Sequence, residues 1–153
     1  VRFGGERLDW EPVKYRYGTS IRWTGEHKGR LSCEGKPDID VACPPEFGGH
    51  PGIWSPEDLY VASAEVCALT TFLFMVEKLR GRIISYESNT EGVAQMVDGT
   101  FIFKEIVIRP MVSVPTTEDR EKAEQAFEMV PGLCVVSKSI KTEVRILPTI
   151  SVG

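Results

Sequence analysis

SPEDLYVASAEVCALTTFLFMVEKLRG, residues 55–81, reads as one long helix with a marked start and stop. Ser55 is a good N-cap. Pro56 suits the first helical position, where its missing N–H would have no intrahelical partner anyway, and Asp58 completes a variant of the capping box. The periodic pattern runs to about Arg80, with Gly81 as the stop. From Leu59 to Val76 the segment is apolar almost all round, the pattern of a central buried helix. Its length also suits a membrane span, but Glu65 at mid-helix, with Ser63, Thr70 and Thr71 nearby, argues against one.

Working outward, residues 13–23 (VKYRYGTSIRW) alternate. Val13, Tyr15 and Tyr17 fall on one side, Lys14 and Arg16 on the other, which predicts a half-buried strand interrupted near Gly18. Residues 29–33 and 39–43 read as a hairpin joined by a turn-like EGKPD. Residues 44–54 (PPEFGGHPGIW) form a Gly/Pro-rich loop. Beyond the helix, Asp98-Gly99 is a hairpin signal, so about 82–97 and 100–114 should pair. Pro110 places the second of these strands at an edge or a bulge. Ala123, Ala126, Phe127 and Val130 share one face of a second helix over 117–130, ended by Pro131-Gly132. A turn holding Cys134 leads to a last strand, with Thr142, Val144 and Ile146 inward and Lys141, Glu143 and Arg145 outward. Three strands, a helix, two strands, a helix and a strand make an α+β fold. We expect an N-terminal extension over 1–12 and a single domain over 13–153.

The chain has 153 residues, with 18 Lys and Arg against 22 Asp and Glu. No basic run or polybasic amphipathic helix occurs, so neither nucleic acid nor a membrane surface is an expected partner. The opening VRFGGERLDW has no apolar core or small-residue cleavage pattern, and a cytoplasmic location is expected. Of the four cysteines, at 33, 43, 67 and 134, no two make a Cys-x-x-Cys pair, and His27 and His50 have no zinc spacing. We expect no metal and no cofactor. In the hairpin, Cys33 near the turn and Cys43 at the far end would lie on the order of 13 Å apart. That is too far for a disulfide, so both are read as structural.

Cys67 lies about ten residues inside its helix, beyond the reach of the macrodipole. A buried thiol is inert unless something stabilises its thiolate, so Cys67 needs a partner from elsewhere. Cys134 precedes VVSKSIK, a helix-like stretch whose free N–H groups would lower its own pKa.

The segment GG-HPGIWSPEDLYVASAEVCALTTFLF resembles the central motif of the OsmC/Ohr family (osmotically inducible protein C-like and organic hydroperoxide resistance proteins). There a Gly-Gly loop leads into Pro-Glu-x-Leu, with a cysteine ten residues after the Glu; here these are Pro56, Glu57, Leu59 and Cys67. The family's Cys-x-x-Ser element matches Cys134 and Ser137. The resemblance runs from about residue 13 to the end. It implies an OsmC-like fold of antiparallel sheets around a long buried helix in an intertwined homodimer. It also implies a redox-active cysteine pair in a stress response: Cys67 attacks an organic hydroperoxide, Cys134 closes a disulfide, and an external dithiol or protein reductant reopens it.

Glu57 matches the family's glutamate, which holds an activating arginine. The two places where that arginine occurs hold Thr24-Gly25-Glu26-His27 and Phe47 here. The candidate activating cations are therefore Arg22, Arg30 and His27, the last only when protonated. A non-catalytic binding protein using the apolar pocket around Cys67, or a redox sensor, is the alternative. Glu57 and Cys67 would be about 15 Å apart along one straight helix. Two antiparallel copies crossing near residue 62, at the small Ala62, Ser63 and Ala64, would bring Glu57 of one beside Cys67 of the other.

Overall fold

The structure, a computed structural model, describes residues 12–153. The expected N-terminal extension lies outside the described residues except for its last residue. The chain forms two compact units, one ending at Trp54 and one running from Ser55 to Gly153.

The first unit carries a three-stranded antiparallel sheet in the order β1 (Ser20–Gly25), β2 (Lys28–Ser32), β3 (Ile39–Ala42). The β2–β3 hairpin is paired from Leu31↔Ile39 to Lys28↔Ala42, leaving Cys33 by the turn and Cys43 past the other end. The strand expected over 13–23 is shorter: residues 12–19 form none, and Val13, Tyr15 and Tyr17 are exposed. The reason is the ladder. Pairing with β2 begins at Ser20↔Ser32, where β2 ends, so an alternating face has no partner to bond to.

The second unit opens with α1 (Pro56–Lys78). Its capping box forms as read: Asp58 N–H donates to Ser55 Oγ at 3.1 Å, and Ser55 N–H donates to Asp58 Oδ2 at 2.9 Å. The C-terminus ends a little earlier than expected, with Leu79 as cap. Arg80 rather than Gly81 takes the left-handed conformation, at φ 56°. Gly81 N–H bonds back to Val76 O and Arg80 N–H to Glu77 O, the two crossing bonds of a Schellman close. Among the described residues α1 alone is long and apolar enough to cross a membrane. One face of it is core: Ala64, Ala68, Phe72, Met75 and Val76 are buried against the sheet and α2. The opposite face, with Val66, Leu73 and Phe74, is exposed in the single chain. The helix is thus central on one side only.

β4 (Ser85–Val97) and β5 (Thr100–Val114) form the long hairpin. Asp98 at φ 48° and Gly99 at φ 82° supply the two left-handed turn residues that match strand twist. Here β5 is central, not an edge. β4 lies on one side, and β6 (Glu143–Ile146) and β7 (Thr149–Val152) pair with the other side in parallel. The sheet is therefore mixed, and β7 is a strand beyond those expected. Pro110 is tolerated because β6 stops opposite Ile108 and β7 starts opposite Met111. Ile108 O accepts from Leu147 N–H on that side. By alternation Pro110 meets the gap between the two short strands, where no donor is needed.

α2 (Thr117–Leu133) runs through Pro131 instead of stopping there. The residue before a proline resists helical geometry. Val130 accepts it because its side chain is fully buried and its carbonyl receives Cys134 N–H at 2.8 Å. Cys134 then closes α2 and opens α3 (Val135–Ser139). α2 is pinned by Phe127 stacked on Phe72 at 4.0 Å and by buried Asp119, which accepts from Arg82 N–H and guanidinium, each at 3.0 Å.

At Gly92, β4 lies close against α1, since a Cβ there would stand 2.5 Å from Val61 Cγ2 and 2.9 Å from Phe103 Cε1. Gly92→Ala should therefore destabilise the protein by about 1–3 kcal/mol in urea unfolding. Gly132→Ala, on an α2 position with nothing within 4 Å, should be neutral or stabilise by up to about 1 kcal/mol. Equal effects of the two would contradict this packing.

Candidate active site

Two of the expected site residues meet within the second unit. Cys67 projects from the middle of α1 on the face shared by Tyr60 and Ala64 a turn or two earlier and Thr71 one turn later, since steps of three, four and seven return to one side. Cys134 sits at the α2–α3 junction and packs into the same core. Cys67 packs against that core, and the two thiols act on each other's protonation. Both are free thiols here. Cys134 is completely buried, while Cys67 keeps some exposure.

The two thiols are electrostatically unequal. Burial raises the pKa of Cys67, but donors overcome it: the Cys134 thiol first, then Val136 N–H, the Thr71 hydroxyl and Val135 N–H, leaving it below the ordinary thiol value. For Cys134, burial comes first and the bond to Cys67 second. Together with the nearby charge on Cys67 they outweigh the Ser137 hydroxyl and N–H, so its pKa rises. Ser137 Oγ lies 3.2 Å from Cys134 Sγ. Of the N–H groups in the first α3 turn, all expected to serve Cys134, those of Val135 and Val136 thus favour Cys67, and that of Ser137 acts on Cys134. Here the neighbouring helix α1 presents a sulfur to those two amides, which have no partner within α3.

In the sequence Thr71 is only a polar residue of the helix, and the amides of residues 135 and 136 are expected to serve Cys134 rather than Cys67. Thr71 had a signal for a place in the site, its four-residue spacing from Cys67; the amides were legible as free donors, but which sulfur they face is a tertiary fact. The groups that lower the Cys67 pKa are all uncharged. Beside it, Thr70, Thr71, Phe74 and Leu133 line an open cavity of about 300 Å³.

Glu57 stands in the first turn of α1, ten residues from Cys67 along an uninterrupted helix. Its Oε2 is buried and accepts no hydrogen bond. Glu65, also on α1, accepts from Ser88 Oγ of β4. The three candidate cations belong to the first unit. Arg30 bonds Asp40 at 2.9 Å and approaches Asp38 at 3.7 Å, and the Asp40 bond raises its pKa further. His27 Nδ1 is 3.2 Å from Gly48 O. Arg22 lies on β1 opposite Arg30 and makes no ion pair among the described residues. Cys33 contacts Gly18 O and Lys36, and Cys43 contacts Phe47 O. Among the described residues no group of three or more His, Cys, Asp or Glu side chains is placed to hold a metal.

A helix-backed mixed sheet with a cysteine on the long helix and another at a helix junction defines an OsmC-type α+β protein. A family model described as OsmC-like protein matches residues 49–147, and the chain belongs to that family. It is 23% identical over 136 residues to the uncharacterized protein YmaD of Bacillus subtilis (strain 168), covering 86% of this chain and 91% of that one. In structure it is similar to an OsmC-like protein of unknown function from Vibrio cholerae. The TM-score is 0.80 and the identity 19%, over 89% of this chain and 100% of the other. It is also similar to an organic hydroperoxide resistance protein from Elizabethkingia anophelis, with TM-score 0.71 and 18% identity, over 94% and 100% of the two chains.

Alkylation of Cys67 by iodoacetamide, followed by peptide mapping across pH, tests the donor array. Only the thiolate reacts, and a lower pKa gives thiolate at lower pH. Cys67 should therefore react at lower pH than an ordinary free cysteine thiol. Thr71→Val or Cys134→Ala should each move its profile to higher pH. An unmoved profile in both variants would show that these donors do not hold the thiolate.

Proposed function

We propose that this protein is a thiol-dependent peroxidase that reduces organic hydroperoxides. The observation that carries the reading is the pairing of a partly exposed Cys67, its pKa lowered, with a buried Cys134, its pKa raised, in one core. Cys67 S⁻ attacks the outer oxygen of the hydroperoxide and the O–O bond breaks. The sulfur becomes a sulfenic acid, and the alkoxide leaves as the alcohol after taking a proton. The Cys134 sulfur then attacks the Cys67 sulfur, forming the S–S bond and releasing water. An external dithiol or reductase protein takes the two oxidising equivalents and restores both thiols, so no bound cofactor is required. Burial is the main cause of the raised Cys134 pKa, and oxidation of Cys67 removes the smaller contribution of its charge, which favours the second step once the first is done. The cavity beside Thr71, with Phe74 and Leu133 in its wall, suits an organic rather than a bare peroxide. The name of the Elizabethkingia relative supports the same substrate class. A reducing cytoplasm suits this cycle.

The functional unit in this reading is a homodimer with its sites shared between chains. Glu57 Oε2 is buried without a donor, and α1 leaves Val66, Leu73 and Phe74 uncovered. A second copy laid antiparallel along α1 covers that stripe and brings a Glu57 towards each Cys67. Of the three small residues near the crossing, Ala64 belongs to its own core and Ser63 faces outward. A binding role without turnover is the second reading, favoured by the absence of any charged group among those holding the thiolate.

Reduced protein should consume cumene hydroperoxide faster than hydrogen peroxide with a dithiol reductant present. Cys67→Ser should abolish turnover, and Cys134→Ser should give one turnover and a trappable sulfenic acid. Mapping of oxidised wild type should find Cys67 joined to Cys134, with Cys33 and Cys43 free. Binding of peroxide analogues with no loss of thiols would favour the second reading.

Mixing Glu57→Gln with Cys67→Ser subunits tests the shared site. Heterodimers then hold one intact Glu57–Cys67 combination and should exceed the activity of Glu57→Gln alone. Activity no higher than that of the Glu57→Gln protein, or a monomer in solution, would place each site within one chain.

A further inference from the structure

A second, larger cavity of about 680 Å³ opens in the Ser55–Gly153 unit, between the start of β5 and the segment joining α3 to β6. Its walls are apolar, from Ile102, Phe103 and Ile140. Its floor is the hydrogen bond between Tyr60 and Thr142, 2.6 Å long. Thr142 donates onward to Phe103 O at 3.3 Å, so Tyr60 is the donor to Thr142 and both hydroxyl protons are used. Tyr60 ring packing on Phe103 at 4.8 Å fixes the wall. Lys104 and Lys141 stand at the rim, exposed, and neither makes an ion pair among the described residues. Glu105, the nearest acid in sequence to Lys104, is approached by Arg145 at 3.7 Å instead, and Glu143, two residues after Lys141, pairs with neither lysine.

The position of Lys104 has a specific origin. Val93 pairs with Glu105 and Ala94 with Phe103, so Lys104 is an extra residue in β5, a bulge. Strict alternation from the fully buried Ile106 and Ile108 would send Lys104 into the core. The bulge puts Phe103 inward onto Tyr60 and leaves Lys104 free at the rim, the re-aiming that bulges perform beside sites. An apolar trough of ordinary ligand size, closed at its floor and carrying two uncommitted cations at its mouth, matches a molecule with an apolar body and one anionic head. The trough is distinct from the cavity beside Cys67. Tyr60 precedes Cys67 by seven residues, on nearly the same face but about 10 Å along α1.

We propose that this trough is a binding site for a small amphipathic carboxylate, its chain along Ile102, Phe103 and Ile140 and its head between Lys104 and Lys141. The site is independent of the thiol chemistry, and a binding readout keeps the two separate. Titration calorimetry of the intact protein with decanoate, below its micellar range, should show one saturable site per chain. Decanol should bind at least about tenfold more weakly, because charge-assisted contacts to the head are lost. The Lys104→Glu/Lys141→Glu double variant should lose about tenfold or more, and Lys104→Arg/Lys141→Arg should retain binding. If the double reversal does not fold, Lys104→Gln and Lys141→Gln singly should each weaken decanoate and not decanol. NMR shift changes should centre on residues 102–104 and 140–142. No saturable binding, equal binding of decanol, indifference to charge reversal, or shifts centred elsewhere would each overturn the proposal. So would protection of an Ile102→Cys thiol by association of a second copy, which would make the trough an interface.

Discussion

The pairing of Cys67 with Cys134 in one core depends on one packing constraint, the burial of the α2–α3 junction against α1. Cys134 is fully buried there only because α2 continues through Pro131 and delivers the junction to the core. Val130 holds that last turn, and α2 as a whole is positioned by Phe127 on Phe72 and by Asp119 on Arg82. The Asp119 carboxyl is kept below its usual range chiefly by the Thr116 hydroxyl and, against burial, by Arg82, so it is a charged anchor at neutral pH. Loosening any of these would move the sulfur at the end of α2, and with it the amides of α3.

Those amides resolve an electrostatic difficulty that the helix position of Cys67 creates. A thiol in the middle of a long helix gains nothing from its own macrodipole and loses solvation. A neighbouring helix start is the uncharged substitute for a cation, because its first N–H groups have no partners of their own and need an acceptor. Placing a sulfur before Val135 and Val136 satisfies both sides. The same arrangement separates the two thiols. The proton that Cys134 donates to Cys67 is the one it must keep, so lowering one pKa raises the other.

Most of the architecture was legible because it rests on local chemistry. Ser55, Pro56 and Asp58 specify the start of α1 by hydrogen bonds within four residues, and Asp98-Gly99 specifies the long hairpin by backbone conformation. What was misread depended on neighbours distant in sequence. Residues 13–19 alternate like a strand but find no ladder. Pro110 looks like an edge proline, yet it sits in a central strand facing the gap between β6 and β7. Pro131 looks like a stop, yet burial of Val130 and Cys134 carries the helix past it. At the site, the family motifs drew attention to Cys67 and Cys134, and α3 was legible as a short helix. Which of the two sulfurs its amides serve was not, since a sequence states that donors are free and not where they point.

The same reasoning bears on Glu57. An N-terminal carboxylate complements the helix dipole, and exposed it would need nothing more. Here one oxygen is buried and has no donor among the described residues. Such an atom costs about 1–3 kcal/mol, and more when charged, unless something bonds to it. The uncovered apolar stripe on α1 has the parallel problem, since Val66, at 58% exposed, and Phe74, at 53%, leave apolar surface in water. Both deficits lie on one helix, one at its first turn and one along its outer face. A single arrangement, a second α1 laid against the first, relieves them together, whereas water would relieve only the first. That economy is why the dimeric site is preferred to a site completed within one chain.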